Sequence, residues 1–273
     1  MSNRPSTKEV KTPAEDVQGT DWSPSASKVV LFGVPIDNLT LEETLDRIED
    51  MVRSGTTHQH VVVNVDKIVK LQTDPELRRA ILDCDLINAD GQPIVWASRI
   101  LQRPLKQRVT GIDLFEALVS RCAARGFHPY LLGARQEVVE RVAGLLKAKN
   151  PSLQLAGFRN GYWSPEEERS VVAQVKASNP DVLFVAMSSP KKELFLRKWK
   201  NELRVPFVMG VGGTFDVVAG LVKRAPVWMQ RCGLEWFYRL SQEPGRLWRR
   251  YLVDDMAFLA LLFREWRALR SRK

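Results

Sequence analysis

The sequence contains little cysteine and has no unusual content of glycine or proline. Its 273 residues include three cysteines, Cys84, Cys122 and Cys232, which are too few and too scattered for a disulfide framework. None of them forms a C-x-x-C pair with metal-ligand spacing. With 16 Gly and 15 Pro, the chain also lacks the composition of a collagen-like, mucin-like or wholly disordered protein. We therefore expect a globular protein of a reducing compartment.

Long apolar runs are also missing. A membrane-spanning helix needs about 20 apolar residues, whereas the best candidate, 256–263, has eight and follows two aspartates. Residues 1–27 are dominated by Ser, Thr, Pro and charged side chains, so they lack the apolar centre of a secretory signal. We interpret residues 1–27 as a disordered lead-in and expect a cytoplasmic protein.

Several common catalytic signatures are absent. The chain has no G-x-G-x-x-G fingerprint, no Walker A loop and no G-x-S-x-G elbow, and its three histidines have no metal-ligand spacing. The missing dinucleotide fingerprint disfavours a nicotinamide-dependent oxidoreductase, which is one alternative for an α/β chain. The D-x-D string at 83–85 precedes a predicted strand instead of following it, which disfavours a metal site there.

The net charge of +9 is concentrated near the C-terminus. The last 50 residues hold eleven Lys and Arg against five acids, together with four of the eight tryptophans. Apolar residues between 247 and 269 recur at mostly helical steps beside arginines. Three interpretations stay open for this segment: a helix that covers its own core, an interfacial helix on anionic lipid, or a nucleic-acid-binding surface.

Apolar strands alternate with helical segments through most of the chain. Strands are predicted at 29–34, 60–65, 86–88, 128–132, 154–158, 181–187 and 205–211, with a turn at 35–38 after the first. Helices are predicted from Thr40, which forms a capping box with Glu43, to about Met51, and at 66–72, 92–101, 111–125, 136–149, 165–178 and 191–201. This order predicts an α/β, Rossmann-like fold over 28–223, with a mainly parallel sheet flanked by helices. Residues 224–273 would form a helical, basic C-terminal appendage.

Polar residues and glycines follow several of these strands. Ligands of open α/β sheets bind outside the carboxyl ends of the strands, and the residues found there include Asn64, Asp90, Gly133, Lys192, Gly212, Gly213 and Asp216. Asp90 is either a general base or a turn residue. The glycines either admit a ligand to the backbone or make tight structural turns. Arg108 and Lys192 either compensate phosphate charge or are surface cations.

Eight strings of the sequence occur together in the order of one family. They are VVNVDKIV (62–69), INADGQPIVWASR (87–99), RVTGIDLF (108–115), YLLGAR (130–135), FRNGYW (158–163), PDVLFVAMSSPKKE (180–193), GVGGTFDVVAG (210–220) and KRAPVWMQRCGLEWFYRLSQEPGRLWRRY (223–251). The chain resembles, over roughly residues 30 to 265, the WecG/TagA/CpsF family of bacterial glycosyltransferases.

The resemblance implies an inverting, metal-independent hexosyltransferase. Such an enzyme moves a sugar from a UDP-sugar to a polyprenyl-diphosphate-linked glycan, for an exopolysaccharide or another surface glycan. The expected sugar is N-acetylmannosamine, its uronic acid or glucose, and the UDP-sugar is a substrate, so that no cofactor is implied. The resemblance further implies peripheral association with the anionic inner face of the cell membrane, and no nucleic acid partner. A homo-oligomer stays open, because an apolar helix can serve a subunit interface as well as a bilayer.

The family motifs also imply roles for single residues. Asp90 matches the aspartate of the A-D-G turn, proposed as the base, and Asn64 and Arg108 match pocket positions. The other expected substrate-binding residues are Gly133, Lys192, Gly212, Gly213 and Asp216. Arginines expected to contact the acceptor or the membrane are Arg224, Arg231, Arg239, Arg249 and Arg250. The chain departs from the family pattern at Val62, where threonine is usual, and at Lys192, where glutamine is common; both departures bear on the identity of the donor.

Overall fold

The computed structural model describes residues 28–242, residue 245 and residues 255–271, with the backbone alone at positions 231 and 239. The predicted lead-in 1–27, Arg249, Arg250 and the side chains of Arg231 and Arg239 lie outside the described residues. The strands are β1 Lys28–Leu31, β2 Val34–Asp37, β3 His58–Val63, β4 Leu86–Ala89, β5 Pro129–Gly133, β6 Gly157–Arg159, β7 Val182–Ala186 and β8 Phe207–Gly210. The helices are α1 Leu41–Arg53, α2 Val65–Lys70, α3 Pro75–Leu82, α4 Gln92–Ile100, α5 Gly111–Arg125, α6 Gln136–Lys149, α7 Glu168–Ala177, α8 Lys191–Leu203, α9 Thr214–Val218, α10 Val227–Arg231, α11 Glu235–Gln242 and α12 Asp255–Arg270.

Six of the strands form one parallel sheet in the order β4-β3-β8-β7-β5-β6. Side chains alternate between its two faces, so that Phe184 of β7 packs with α1, α5, α6 and α9, whereas Leu183 and Val185 pack with α7 and α8. On this second face α2, α3, α4 and α12 form an adjoining apolar cluster with β1 and β2. Because both faces are covered, the central strands β7 and β8 are continuous apolar runs, and the predicted Rossmann-like α/β fold is confirmed.

The predicted strand 29–34 and the turn at 35–38 are wrong. β1 and β2 form an antiparallel hairpin in which Leu31 pairs with Val34. Phe32 and Gly33 make the two-residue turn with φ of +54° and +76°, the combination that a tight hairpin favours. A phenylalanine tolerates this left-handed backbone here because its ring is buried, with its centroid 5.1 Å from that of Phe258 in α12.

Local signals explain most helix starts. The capping box of α1 is confirmed, since Thr40 Oγ1 accepts from the Glu43 backbone N–H at 3.2 Å and Glu43 accepts from that of Thr40 at 2.8 Å. Helix α3 was not predicted, although Asp74 caps it and Pro75 occupies its first turn. The remaining strands and helices that were predicted differ from those observed by a few residues at their ends, a shift that leaves the order of elements unchanged.

Helix α12 has two apolar surfaces. Phe258 is buried in the cluster beneath the hairpin, with Leu262 and Trp266 packed partly against it. Met256 and Phe263 are more than half exposed on the other surface. The helix therefore covers part of the core and also presents apolar side chains to solvent. Within the described residues, no helix is long and apolar enough to cross a bilayer.

Candidate active site

Two neighbouring strands at the centre of the sheet send their following helices to opposite faces. After β3 the chain enters α2, whose Ile68 packs in the cluster beneath the hairpin. After β8 it enters α9, whose Phe215 packs on the other face with α5. A crevice therefore lies between the carboxyl ends of β3 and β8, which is where α/β sheets bind their ligands.

Backbone hydrogen bonds hold the candidate residues together at this edge. The Asp90 N–H donates to Val63 O at 2.7 Å, and the Val109 N–H donates to Ala89 O at 3.0 Å. Asn64 follows Val63, Asp90 follows Ala89, and Arg108 precedes Val109. The two hydrogen bonds therefore bring the three residues to adjoining segments. Asp90 is half-buried and is separated from the first residue of α4 by Gly91 alone. The structure thus brings these three predicted site residues to one place.

Asn64 has a structural task at this edge. Its Oδ1 accepts from the Lys67 N–H at 3.0 Å and so caps α2. The neighbouring Val62 is buried, and its Cγ2 lies 3.5 Å from the place that a Cβ would take on Gly111 at the start of α5. Val62 therefore supplies a methyl group beside α5, where the threonine that the resemblance implies would offer a hydroxyl.

Lys192 lies in a buried group of charges with Lys67 and Glu193, which we call the lysine cluster. Glu193 Oε1 is 2.8 Å from Lys67 Nζ and 2.8 Å from Lys192 Nζ, and Lys67 Nζ also donates to Val62 O at 2.7 Å. The three residues are 2–5% exposed. A Cβ on Gly210, at the end of β8, would lie 3.0 Å from Lys192 Cδ, so the glycine makes room for this lysine.

Burial and charge move the pKa values of the lysine cluster in opposite directions. Burial lowers the pKa of Lys192 to about 8, and the charge of Lys67 adds to this effect against the attraction of Glu193. Burial by itself raises the pKa of Glu193, but the two ammonium groups outweigh it and bring that pKa to about 2. Near neutral pH Glu193 is ionised between two cations.

A second group of charges, the arginine cluster, joins the start of α5 to the C-terminal segment. It comprises Arg108, Asp113, Arg224 and Glu235. Arg224 Nη1 donates to Asp113 Oδ1 at 2.6 Å. Glu235 bridges the two arginines at longer range, with Oε2 3.6 Å from Arg108 Nη1 and Oε1 3.7 Å from Arg224 Nε. These contacts hold the region around α10 and α11 against the sheet edge.

The two sides of the Arg224 guanidinium differ. Nη1 is satisfied by Asp113, whose other oxygen accepts from Thr110 Oγ1 at 2.6 Å. Nε and Nη2 are buried and find no hydrogen-bond acceptor within the described part of the chain. Burial raises the pKa of Asp113, but the hydrogen bonds from Arg224 and Thr110 outweigh it and hold the pKa below its ordinary value. Asp113 is therefore an ionised anchor for one side of Arg224 near neutral pH.

The glycines of the predicted site have different structural reasons. A Cβ on Gly133 would lie 2.3 Å from Ala186 O, so the close approach of β5 and β7 accounts for this glycine without a ligand. Gly212 has φ of +57°, and a Cβ there would meet its nearest atom, Met187 O, at 4.0 Å. A Cβ on Gly213 would likewise lie 4.0 Å from Asp216 Oδ2. The backbone at 212–213 is thus open to a ligand, with the half-buried Asp216 beside it.

The sequence analysis did not single out four residues of the site. Lys67, Asp113, Glu193 and Glu235 all lie inside quoted motifs, but their partners are distant in sequence. The D-x-D string lies at the opposite end of β4, where Asp85 is 2.6 Å from Lys200 Nζ and Asp83 is 2.9 Å from Arg197 Nε. Nowhere in 28–242 or 255–271 do three or more His, Cys, Asp or Glu residues form a group that could hold a metal ion.

The sheet order, the central crevice and the cationic side chains beside it define a Rossmann-like α/β protein with its candidate site at the carboxyl edge of the sheet. Residues 29–272 match the model of the Glycosyl transferase WecG/TagA/CpsF family, and the chain belongs to this family. The family resemblance of the sequence is confirmed. The protein is accordingly a member of a glycosyltransferase family that acts in cell-surface glycan synthesis.

Proposed function

We propose that the protein transfers a hexose from a UDP-sugar to a polyprenyl-diphosphate-linked glycan, with inversion at the transferred carbon and without a metal ion. The observation that carries this proposal is the half-buried Asp90 at the edge where Arg108 also lies. A carboxylate and guanidinium groups at one crevice supply a base for the acceptor and a positive field for the departing diphosphate. The product would be an exopolysaccharide or a related surface glycan.

Asp90 acts as the base in this proposal. Its carboxylate takes the proton of the acceptor hydroxyl while the hydroxyl oxygen bonds to the anomeric carbon of the donor. The bond from that carbon to the diphosphate breaks, and UDP leaves with the electron pair. Because this is a single displacement, the carbon inverts, and one carboxylate suffices.

Stabilisation of the leaving UDP falls to the arginine cluster and the open backbone at Gly212–Gly213. Arg224 has two buried donors on one side without an acceptor in the described chain. A guanidinium side of this kind suits two oxygens of a diphosphate. These charges offset the negative charge that develops on the departing group without an ion.

We also propose that α12 associates with anionic membrane lipid. Ile100, Leu259, Leu262, Phe263 and Trp266 line a groove of about 350 Å³ between α4 and α12. Arg267 and Arg270 lie over the rings of Phe263 and Trp266, at 5.8 Å and 3.9 Å from the centroids. Exposed apolar side chains beside arginines are typical of an interfacial helix. In this proposal the lipid-linked acceptor approaches along α4, whose last residue, Ile100, lines the groove and whose first turn follows Asp90 and Gly91.

The test is acceptor-dependent release of UDP from UDP-N-acetylmannosamine, its uronic acid and UDP-glucose. Detergent-dispersed polyprenyl-diphosphate-linked glycans serve as acceptors. We expect Asp90→Asn to lower the rate by about 10²- to 10⁴-fold, since it removes the base, and EDTA to leave the rate unchanged. Asp83→Asn is the matched control, because it makes the same chemical change at the opposite end of β4, where Asp83 pairs with Arg197. A wild-type rate in Asp90→Asn excludes Asp90 as the base, and a folded protein that binds no UDP contradicts the transferase.

The membrane arm of the same assay compares two presentations of the acceptor. Phe263→Asp places a charge on an exposed apolar position of α12, 56% exposed, without disturbing the core. We expect this variant to retain its rate on detergent-dispersed acceptor and to lose about tenfold on acceptor in phosphatidylglycerol vesicles. Equal rates of variant and wild type on the vesicles would remove α12 from the membrane interface.

A further inference from the structure

Glu235 lies between two arginines beside the candidate site. It is the first residue of α11. Its side chain is 15% exposed, and that of Arg108, with which it makes contact, is 16% exposed. Its two carboxylate oxygens are shared, with Oε2 directed to Arg108 and Oε1 to Arg224. The Glu235 carboxylate therefore bridges the two cations that flank the crevice.

The bridge is electrostatic and leaves donors unfilled. Charged hydrogen bonds from guanidinium to carboxylate or phosphate are about 2.7–2.9 Å long, whereas the two Glu235 contacts measure 3.6 Å and 3.7 Å. Nε and Nη2 of Arg224 are buried and have no acceptor among the described residues. Glu235 thus attracts the arginines without satisfying them, and an anion with two closer oxygens would bind that side of Arg224 better.

Asp113, in the same cluster, binds Arg224 more closely than Glu235 does. It accepts from Arg224 Nη1 at 2.6 Å and fixes that side of the guanidinium to the first turn of α5. Arg224 therefore has one partner that holds it and another that merely faces it. Loss of the second partner leaves the guanidinium anchored, with its donors still directed toward the place of the Glu235 carboxylate.

We propose that Glu235 is a positioning residue that occupies the place of the donor diphosphate between Arg108 and Arg224 and yields it when the donor binds. This inference rests on the proposed function. Before binding, Glu235 keeps the two cations side by side at low electrostatic cost. On binding, the diphosphate replaces the carboxylate, and the start of α11 is released from the sheet edge.

UDP binding to the full-length protein, measured by calorimetry, tests this exchange. Glu235→Gln retains the size of the side chain but removes the competing charge, so we expect its Kd for UDP to fall about tenfold below that of the wild type. Glu76→Gln is the control for loss of a glutamate charge, because it removes ion pairs with Arg79 and Arg197 on α3, away from the candidate site. Its Kd is expected to equal that of the wild type.

Hydrogen exchange of the backbone amides of 235–242 gives a second measurement. If Glu235 had only a structural role, UDP would leave these exchange rates unchanged. UDP is expected to speed exchange of these amides in the wild type and to change it little in Glu235→Gln, where the contact is already absent. Unchanged or weaker UDP binding by Glu235→Gln would overturn the inference while the wild type still binds UDP. A wild type that binds no UDP would overturn the inference and the proposed function together.

A variant with a shorter acidic side chain tests the same exchange if the Gln variant does not fold. Glu235→Asp retains the charge but withdraws it by one methylene from both arginines. We expect its Kd for UDP to lie below that of the wild type by about threefold, since the competition weakens with distance. A Kd equal to or above the wild-type value would contradict the exchange.

Discussion

The lysine cluster and the arginine cluster lie at the same edge of the sheet but differ in how they are neutralised. In the lysine cluster, Glu193 is within 2.8 Å of both ammonium groups, and all three residues are buried. In the arginine cluster, Glu235 stays 3.6 Å or more from both guanidinium groups, and two buried donors of Arg224 have no acceptor in the described chain. The first group has its counter-charge in contact, and the second has it at a distance.

This difference separates charges that support the fold from charges suited to a ligand. A buried ion pair with short contacts loses most when one partner is removed, because the other is left without compensation. A pair with longer contacts loses less when one partner is removed, since the attraction between charges falls with distance. We therefore expect the lysine cluster to determine stability and the arginine cluster to determine affinity, and substitutions can test each expectation.

The largest expected effect is on the free energy of unfolding of Glu193→Gln. This change leaves the ammonium groups of Lys67 and Lys192 buried without their shared anion, which costs about 3–5 kcal/mol by comparison with other buried pairs. Urea denaturation measures the loss. Glu235→Gln, which makes the same chemical change in the arginine cluster, is expected to cost less, because both of its contacts with the arginines are longer. Equal losses in the two variants would abolish the distinction between the clusters.

A smaller effect is expected from titration of Lys192. Its pKa is about 8 in the folded protein and 10.5 ordinarily, so between these values the unfolded chain binds the proton that the folded chain has lost. Stability contributed by this residue therefore rises with pH across that window, by up to about 3 kcal/mol.

Denaturation of the wild type and of Lys192→Gln at pH 8 and pH 10.5 isolates this contribution. The difference in unfolding free energy between the two proteins is expected to change in favour of the wild type as the pH rises. The neighbouring, exposed Lys191 provides the control, since Lys191→Gln retains the pH dependence of the wild type. A pH-independent difference between wild type and Lys192→Gln would mean that this amine is not held neutral by burial.

The sequence permits prediction of the sheet because both of its faces are covered. Strands such as β7 are short apolar runs whose length and spacing need no tertiary information. The hairpin was missed because Phe32 adopts a left-handed backbone that its residue type disfavours, and only its contact with Phe258 explains it. The signal for α3 was present in the Asp74–Pro75 pair, which caps and starts the helix.

The candidate site was predictable mainly where a residue lies just after a strand, and the family motifs added Arg108. Asn64 and Asp90 come directly after β3 and β4, and Gly212 lies two residues after β8, so that all three meet at one edge. The partners of the charged residues have no such local signal. Lys67 and Glu193 are brought together because β3 and β7 flank β8, which the sequence of either motif does not indicate.

The contact between the tilted rings of Phe32 and Phe258 joins the two ends of the described chain. The first hairpin and the last helix share one apolar cluster, in which both rings are at most 4% exposed. A truncated chain that stops before α12 would expose Phe32 and the aliphatic side chains beneath it. Such an exposed apolar surface promotes aggregation. Shortening the protein at its C-terminus is therefore expected to impair solubility, which makes single exposed positions of α12 the better sites for testing the proposed membrane contact.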